Sequence, residues 1–327
     1  MKKFIRQVPK IELHSHFEGS FPKGHLYELY KKYGYSEDFS YFSNIFNTSN
    51  FESFIVAWEL KNSLVREIDD LIFLTNGYVE YLKSQNIIHT DITISPFGFK
   101  NLNPEESIEE IYKVMKNSDI NFSFIGDVVR NSGVEVANYK YNIYKNMREY
   151  NISAIGLGGS ESKYPPELYV DLFKKVKQDS FKISIHAGEF GSEENIYNSI
   201  FLLGADRIGH GNNIKNSKLL NYIKDNNIHI ETCPISNIKL GSINNILEHD
   251  FYSYFNQGLR ISINSDDPGM FNKTLIDNYD LIIKNYKLSK KDIIQLQKNS
   301  IDDSFSSDDE KILLHKKLEL FKEKRSI

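Results

Sequence analysis

Eight short apolar runs recur along the chain, each separated from the next by a longer amphipathic stretch. They cover residues 11–16, 87–95, 121–129, 152–158, 182–186, 207–210, 229–233 and 260–264. Several are β-branched and apolar on successive positions, as strands buried on both faces must be. The intervening stretches, such as 107–116, 166–177 and 217–226, carry apolar residues at helical spacing. Eight strands alternating with helices predict an α/β fold, a (β/α)8 TIM barrel. At 327 residues the chain has the length of one such barrel, so residues 1–327 are expected to form a single domain. Residues 17–80 are predicted to be a helical insertion after strand one, placed to act as a lid, and residues 289–327 to be helices outside the barrel.

Chemistry-bearing residues gather where these runs end. His14 and His16 stand two apart at the end of the first run. On a strand, residues two apart face the same side, so both imidazoles can reach one ion. Two buried histidines with backbone partners would look the same in sequence. His186 ends the fifth run and is followed by Ala187-Gly188-Glu189. A histidine there supplies another nitrogen ligand, or is a satisfied core residue. In a dry pocket the Glu189 carboxyl would hold its proton, while a nearby cation would push the other way. His210, between Gly209 and Gly211, sits at the end of the sixth run, where it can orient a water or stabilise its charge. The eighth run leads into Asn264-Ser265-Asp266-Asp267-Pro268. Asp266 can bind a metal while Asp267 hydrogen-bonds a substrate, although Asp-Pro is also common in turns. Strand-end ligands from separate strands imply a barrel with a metal in its mouth.

Other residues read more plainly. His25, His249 and His315 lie in helical or loop surroundings and are expected to be solvated; His89 and His229 read as buried structural histidines. Cys233 is expected in the core, since no motif for cysteine catalysis surrounds it. Phe42 with Phe46, and Phe51 with Phe54 and Trp58, fall at helical spacing. Packing is the first explanation for these aromatics, and a cover over a flat ring the alternative. The terminal stretch 308–322 sets Ile312, Leu313, Leu318 and Leu320 among charges. A net charge of −4 argues against nucleic acid as a partner. One cysteine allows no internal disulfide, which fits a reducing compartment. With no apolar stretch long enough for a signal or a membrane span, a cytoplasmic location is expected.

Five blocks, taken in order, resemble the adenosine deaminase family of zinc hydrolases. They are Pro9-Lys10-Ile11-Glu12-Leu13-His14-Ser15-His16-Phe17-Glu18-Gly19-Ser20, His186-Ala187-Gly188-Glu189, Arg207-Ile208-Gly209-His210-Gly211, Cys233-Pro234-Ile235-Ser236-Asn237 and Ser265-Asp266-Asp267-Pro268. The resemblance implies a metal-dependent hydrolase barrel holding one zinc ion per chain. By position, His14, His16, His186 and Asp266 match the family's metal ligands. Glu189 matches its proton donor to the purine ring, and His210 the histidine beside the reactive water. His16, Glu18, Gly159 and Asp267 are the implied substrate contacts. Two positions depart from the pattern. Glu18 stands where adenosine-specific members carry Asp against the ribose, and Glu is usual in relatives acting on adenine or modified adenine nucleosides. Gly156 stands where many relatives carry Asp.

The implied activity is hydrolytic deamination of a 6-aminopurine, adenosine or deoxyadenosine, to inosine or deoxyinosine and ammonia. The alternatives are a deaminase of adenine or a modified adenine nucleoside, another barrel metallohydrolase, and a binding protein without turnover. A two-metal barrel needs a bridging group on strand four, where this chain has Gly158 and Gly159. The zinc cytidine-deaminase pattern is excluded by the lack of Cys-x-x-Cys. Sequence leaves the oligomeric state open.

Overall fold

The computed structural model describes residues 1–48 and 51–325, and the side chains of all of these but Phe51 and Glu52. Eight strands form one sheet in sequential order: β1 (Lys10–His16), β2 (Ile87–Ile94), β3 (Asn121–Asp127), β4 (Ile152–Leu157), β5 (Lys182–Ala187), β6 (Arg207–His210), β7 (His229–Thr232) and β8 (Ile261–Ile263). Every neighbouring pair is parallel. The sheet closes between Ser15 and Asp266, where His16 N–H donates to the Asp266 carbonyl at 2.9 Å and Asp266 N–H to that of His14 at 3.2 Å. This is the expected (β/α)8 barrel, with strand ends within two residues of those read from the sequence.

Alternation along each strand sorts the side chains. Ile183 and Ile185 of β5 are buried in the apolar core, while Ser184 between them hydrogen-bonds Glu231 of β7 at 3.2 Å. The barrel interior is therefore polar. There Arg207 of β6 pairs with Asp91 of β2 and Glu231 of β7, all essentially free of solvent contact. Asp91 also holds His89 at 2.8 Å. Arg207, Asp91 and Glu231 each have a counter-charge, which is the condition for keeping them there.

Between β1 and β2 lie four helices, Lys23–Lys32, Phe39–Ile45, Phe51–Ser63 and Ile68–Ser84, as expected of the insertion. Phe42 and Phe46 are buried and pack edge-on to one another. Phe54 and Trp58 instead line the central cavity. Helical spacing puts residues on one face but does not say what that face meets. The Phe51 side chain lies outside the described residues.

At the other end of the chain, helix Lys290–Asp303 sends the Gln297 amide oxygen to the Ile11 N–H at 2.9 Å. Helix Asp308–Glu323 buries Leu314 and Leu318, whereas Ile312, Leu313 and Leu320 are 64%, 59% and 47% exposed. Only one stripe of this helix meets the barrel, so three of its apolar residues face outward. Among the described residues no helix is long and apolar enough to cross a membrane.

Candidate metal centre and active site

The barrel's C-terminal mouth gathers every ligand candidate. His14, His186, His210 and Asp266 each offer an atom within 4.8 Å of the others'. His16 joins them, its Nε2 standing 3.0 Å from His186 Nε2 and 3.3 Å from an Asp266 carboxylate oxygen. That same oxygen is 3.5 Å from His14 Nε2. Ligand arms of about 2.1 Å arranged as a tetrahedron leave roughly this spacing between donor atoms. His14 Nε2 is also buried without a hydrogen-bond partner. These distances fit donors gathered around one ion.

Local backbone geometry aims these groups. His210 and Asp266 both adopt φ of 63°, a left-handed conformation that ordinary side chains avoid. His210 ends β6 and Asp266 follows β8, and both side chains reach the mouth. Gly209 lets His14 approach, since a Cβ there would lie 2.7 Å from the ring. Gly19 does the same for Asp267, whose carboxylate occupies the space a Cβ would take.

The electrostatics favour a cation. Burial works against charge on His14, but the Asp266 and Glu231 carboxylates outweigh it and push its pKa up to about 10. Burial likewise opposes ionisation of Asp266, and the adjoining His14 and His16 hold it well below the usual range. Glu231 lies 2.6 Å from His14 Nδ1. Its carboxylate accepts that N–H and leaves Nε2 for the centre, the outer-sphere arrangement that orients a metal-bound histidine.

Glu189 stands next to this group, one carboxylate oxygen 3.6 Å from His210 Nε2. Burial, with the charges of Asp266 and Glu161, raises its pKa well above the carboxylate range. Asp267 is pushed up to about 7 by burial and by Asp266. Glu18 is buried with one oxygen accepting the Ser95 N–H at 2.7 Å. These groups line a cavity of about 790 Å3 with His16, His186, His210, Asp266 and Gly159. Its other walls include Phe54, Trp58 and Phe97. All expected site residues but His14 thus face one cavity, and His14 lies directly behind them in the ligand group.

Sequence reasoning passed over several residues here. Glu161, two residues past Gly159, carries no mark of a role in the sequence. It is buried, and its carboxylate accepts the backbone N–H groups of Gly188, Glu189, Phe190 and Gly191 at 2.7 to 3.3 Å. It fixes the turn that carries Glu189. Replacing Glu161 by Ala is expected to lower kcat by about 10²-fold, because misplacing a reacting group by an ångström has that effect. Steady-state kinetics on a folded variant check this, and a kcat within about threefold of wild type rejects it.

Asp127 ends β3, pairs in register with Gly156 and accepts the Gly158 N–H at 3.0 Å. A carboxylate absent from β4 is thus supplied beside it by β3. His249, expected to be solvated, is instead only 3% exposed and hydrogen-bonds Asn237. A loop histidine carries no sequence mark of burial. His89, His229 and Cys233 are buried as expected.

Histidines and an aspartate spaced to hold a metal ion at the C-terminal mouth of a (β/α)8 barrel, beside a buried carboxyl, are the arrangement of a barrel hydrolase. Residues 9–320 match the family model described as adenosine deaminase. The chain is 32% identical to an adenine deaminase of Psychrobacter cryohalolentis over 93% of this chain and 95% of that one. It is 29% identical to an adenosine deaminase of Clostridium acetobutylicum, over 98% and 99% of the two chains. The crystal structure of adenine deaminase from Arthrobacter aurescens superposes with a TM-score of 0.89 at 22% identity, covering 96% of this chain and 99% of that one. This chain belongs to the adenosine deaminase family, hydrolases that act on C–N bonds of purines.

Proposed function

We propose that the chain catalyses zinc-dependent hydrolytic deamination of a 6-aminopurine nucleoside, adenosine or deoxyadenosine. One observation carries this reading: the buried carboxyl of Glu189, its pKa raised by burial, sits beside a ligand cluster inside one cavity. His14, His16, His186 and Asp266 hold the ion. When bound, zinc lowers the pKa of a water molecule to about 7, making a nucleophile available at neutral pH. Asp267 and the Gly159 N–H orient the purine, while Phe54 and Trp58 cover its apolar faces. Glu189 delivers its proton to ring N1, which draws electron density away from C6. Oxygen from water replaces the amino group at C6, and ammonia leaves. The cavity of about 790 Å3 exceeds what a bare purine fills, which supports a substrate carrying a sugar.

Glu18 favours a second reading, adenine or a modified adenine nucleoside. Its buried carboxylate reaches one methylene further than Asp would from the same position, towards the space a ribose would take.

A panel of adenosine, deoxyadenosine and adenine, scored for ammonia release and with zinc counted per chain, decides between them. One zinc and preference for a nucleoside are expected; two metals favour a different barrel hydrolase. Glu18→Asp is expected to shift the nucleoside-to-adenine ratio of kcat/KM by at least about tenfold, the discrimination one methylene carries. An unchanged ratio removes Glu18 as a specificity residue.

A further inference from the structure

The mouth of the barrel holds one donor more than a four-coordinate ion takes. His14, His16, His186, His210 and Asp266 all converge there. We propose that a hydrogen-bond relay running from the Phe251 backbone through His249 and Asn237 fixes His210 as its Nε2–H tautomer. His210 is then a hydrogen-bond donor into the active site and is excluded from the ligand set. Asn237 and His249 are positioning residues acting through it.

The direction of the relay follows from its one immovable donor. Phe251 N–H, a backbone group, donates to His249 Nδ1 at 3.0 Å. A nitrogen that accepts carries no proton, so the proton of neutral His249 is on Nε2. That nitrogen lies 3.2 Å from the Asn237 amide oxygen, which accepts it. The Asn237 amide nitrogen is therefore turned the other way and lies 3.1 Å from His210 Nδ1. An amide nitrogen only donates, so His210 Nδ1 accepts and His210 Nε2 bears the proton. Nε2 is the atom that faces Glu189, at 3.6 Å.

Reversing the chain is disfavoured at each link. Flipping the Asn237 amide alone sets its nitrogen against the His249 N–H, two donors facing one another. Moving the His249 proton to Nδ1 sets it against the Phe251 N–H. His249, Asn237 and His210 are 3%, 0% and 1% exposed, so such a mismatch is held away from bulk water. Burial also keeps His249 neutral, pushing its pKa down to about 4.

A nitrogen that carries a proton cannot bind a metal, which leaves the three other histidines and Asp266 for the ion. Nor can it accept a proton from water. It can donate a hydrogen bond to an oxygen held in front of it, which restrains that oxygen against C6. The consequence for turnover rests on the deaminase reading above; the tautomer assignment does not.

The test uses the full-length chain loaded with zinc and labelled with 15N-histidine. Long-range 1H–15N spectra report which ring nitrogen is protonated, and they need no substrate. His210 and His249 are both expected to be Nε2–H tautomers. A His210 protonated on Nδ1, or bound to metal through Nε2, overturns the proposal whatever purine is turned over. Asn237→Asp places an acceptor against His210 Nδ1. It is expected to move the proton to Nδ1 and lower kcat by about 10²-fold, the loss typical of one preorganised donor. KM is expected to stay within about threefold. His249→Gln, which keeps an acceptor and a donor on one side chain, is expected to retain most activity, whereas His249→Phe falls with Asn237→Asp. Wild-type kcat in a folded Asn237→Asp variant would also overturn the proposal. If the variants do not fold, the wild-type spectrum alone decides.

Discussion

Glu189→Gln is expected to keep the bound metal and lose about 10²–10⁴-fold in kcat, the span that general acid–base help contributes. Glutamine matches glutamate in size and can donate a hydrogen bond, but it cannot give up a proton. The loss therefore isolates proton delivery from binding, and KM is expected to change little. Burial and the negative charges of Asp266 and Glu161 raise the pKa of the wild-type carboxyl, which favours its protonated form. Its backbone N–H is held at 2.9 Å by Glu161, so the substituted side chain starts from the same place. Steady-state kinetics with metal analysis on the same preparation make the measurement. A kcat within about threefold of wild type means that the ring receives its proton from another group.

Most of the scaffold was legible because buried parallel strands leave a strong mark. A strand such as β5, covered on both sides, has little freedom to be polar except where it faces the barrel interior. The strand ends gave up His14, His16, His186, His210 and Asp266 for the same reason: each lies at or just past the end of such a run. What stayed hidden depends on distance in sequence. Glu161 acts on a turn 27 residues away, and Asp127 on a glycine 31 residues away. Asn237 and His249 meet only because helix Pro234–Leu240 and the loop before Phe251 fold back on one another. Phe54 and Trp58 share a helical face, and spacing alone left packing and a cover over the cavity both open.

Arg207→Met is expected to destabilise the fold by about 3–5 kcal/mol, the usual effect of removing one member of a buried ion pair. The wild-type guanidinium is 1% exposed and lies between the Asp91 and Glu231 carboxylates. It also donates to the Asp303 carbonyl at 3.0 Å and stacks 3.6 Å above the Phe305 ring. Methionine fills much of the volume but strands two carboxylates in the barrel interior. The pH dependence separates this from simple loss of packing. Burial raises the Asp91 pKa, but Arg207 and His89 overcome it and hold the group down to about 2, below its ordinary 3.8. A depressed folded-state pKa contributes stability above the unfolded value and loses it as pH falls through the folded one. Wild-type stability from this pair is thus present above pH 4 and lost towards pH 2. In the variant the stranded carboxylates take up protons at higher pH, so the gap between the two proteins narrows as pH falls. Glu231 also orients His14, so zinc affinity is expected to drop by about 10–100-fold. Denaturant unfolding of both proteins across this pH range, with a zinc titration, measures all three effects. A gap that stays constant between pH 7 and pH 3 would show that Arg207 contributes packing rather than charge.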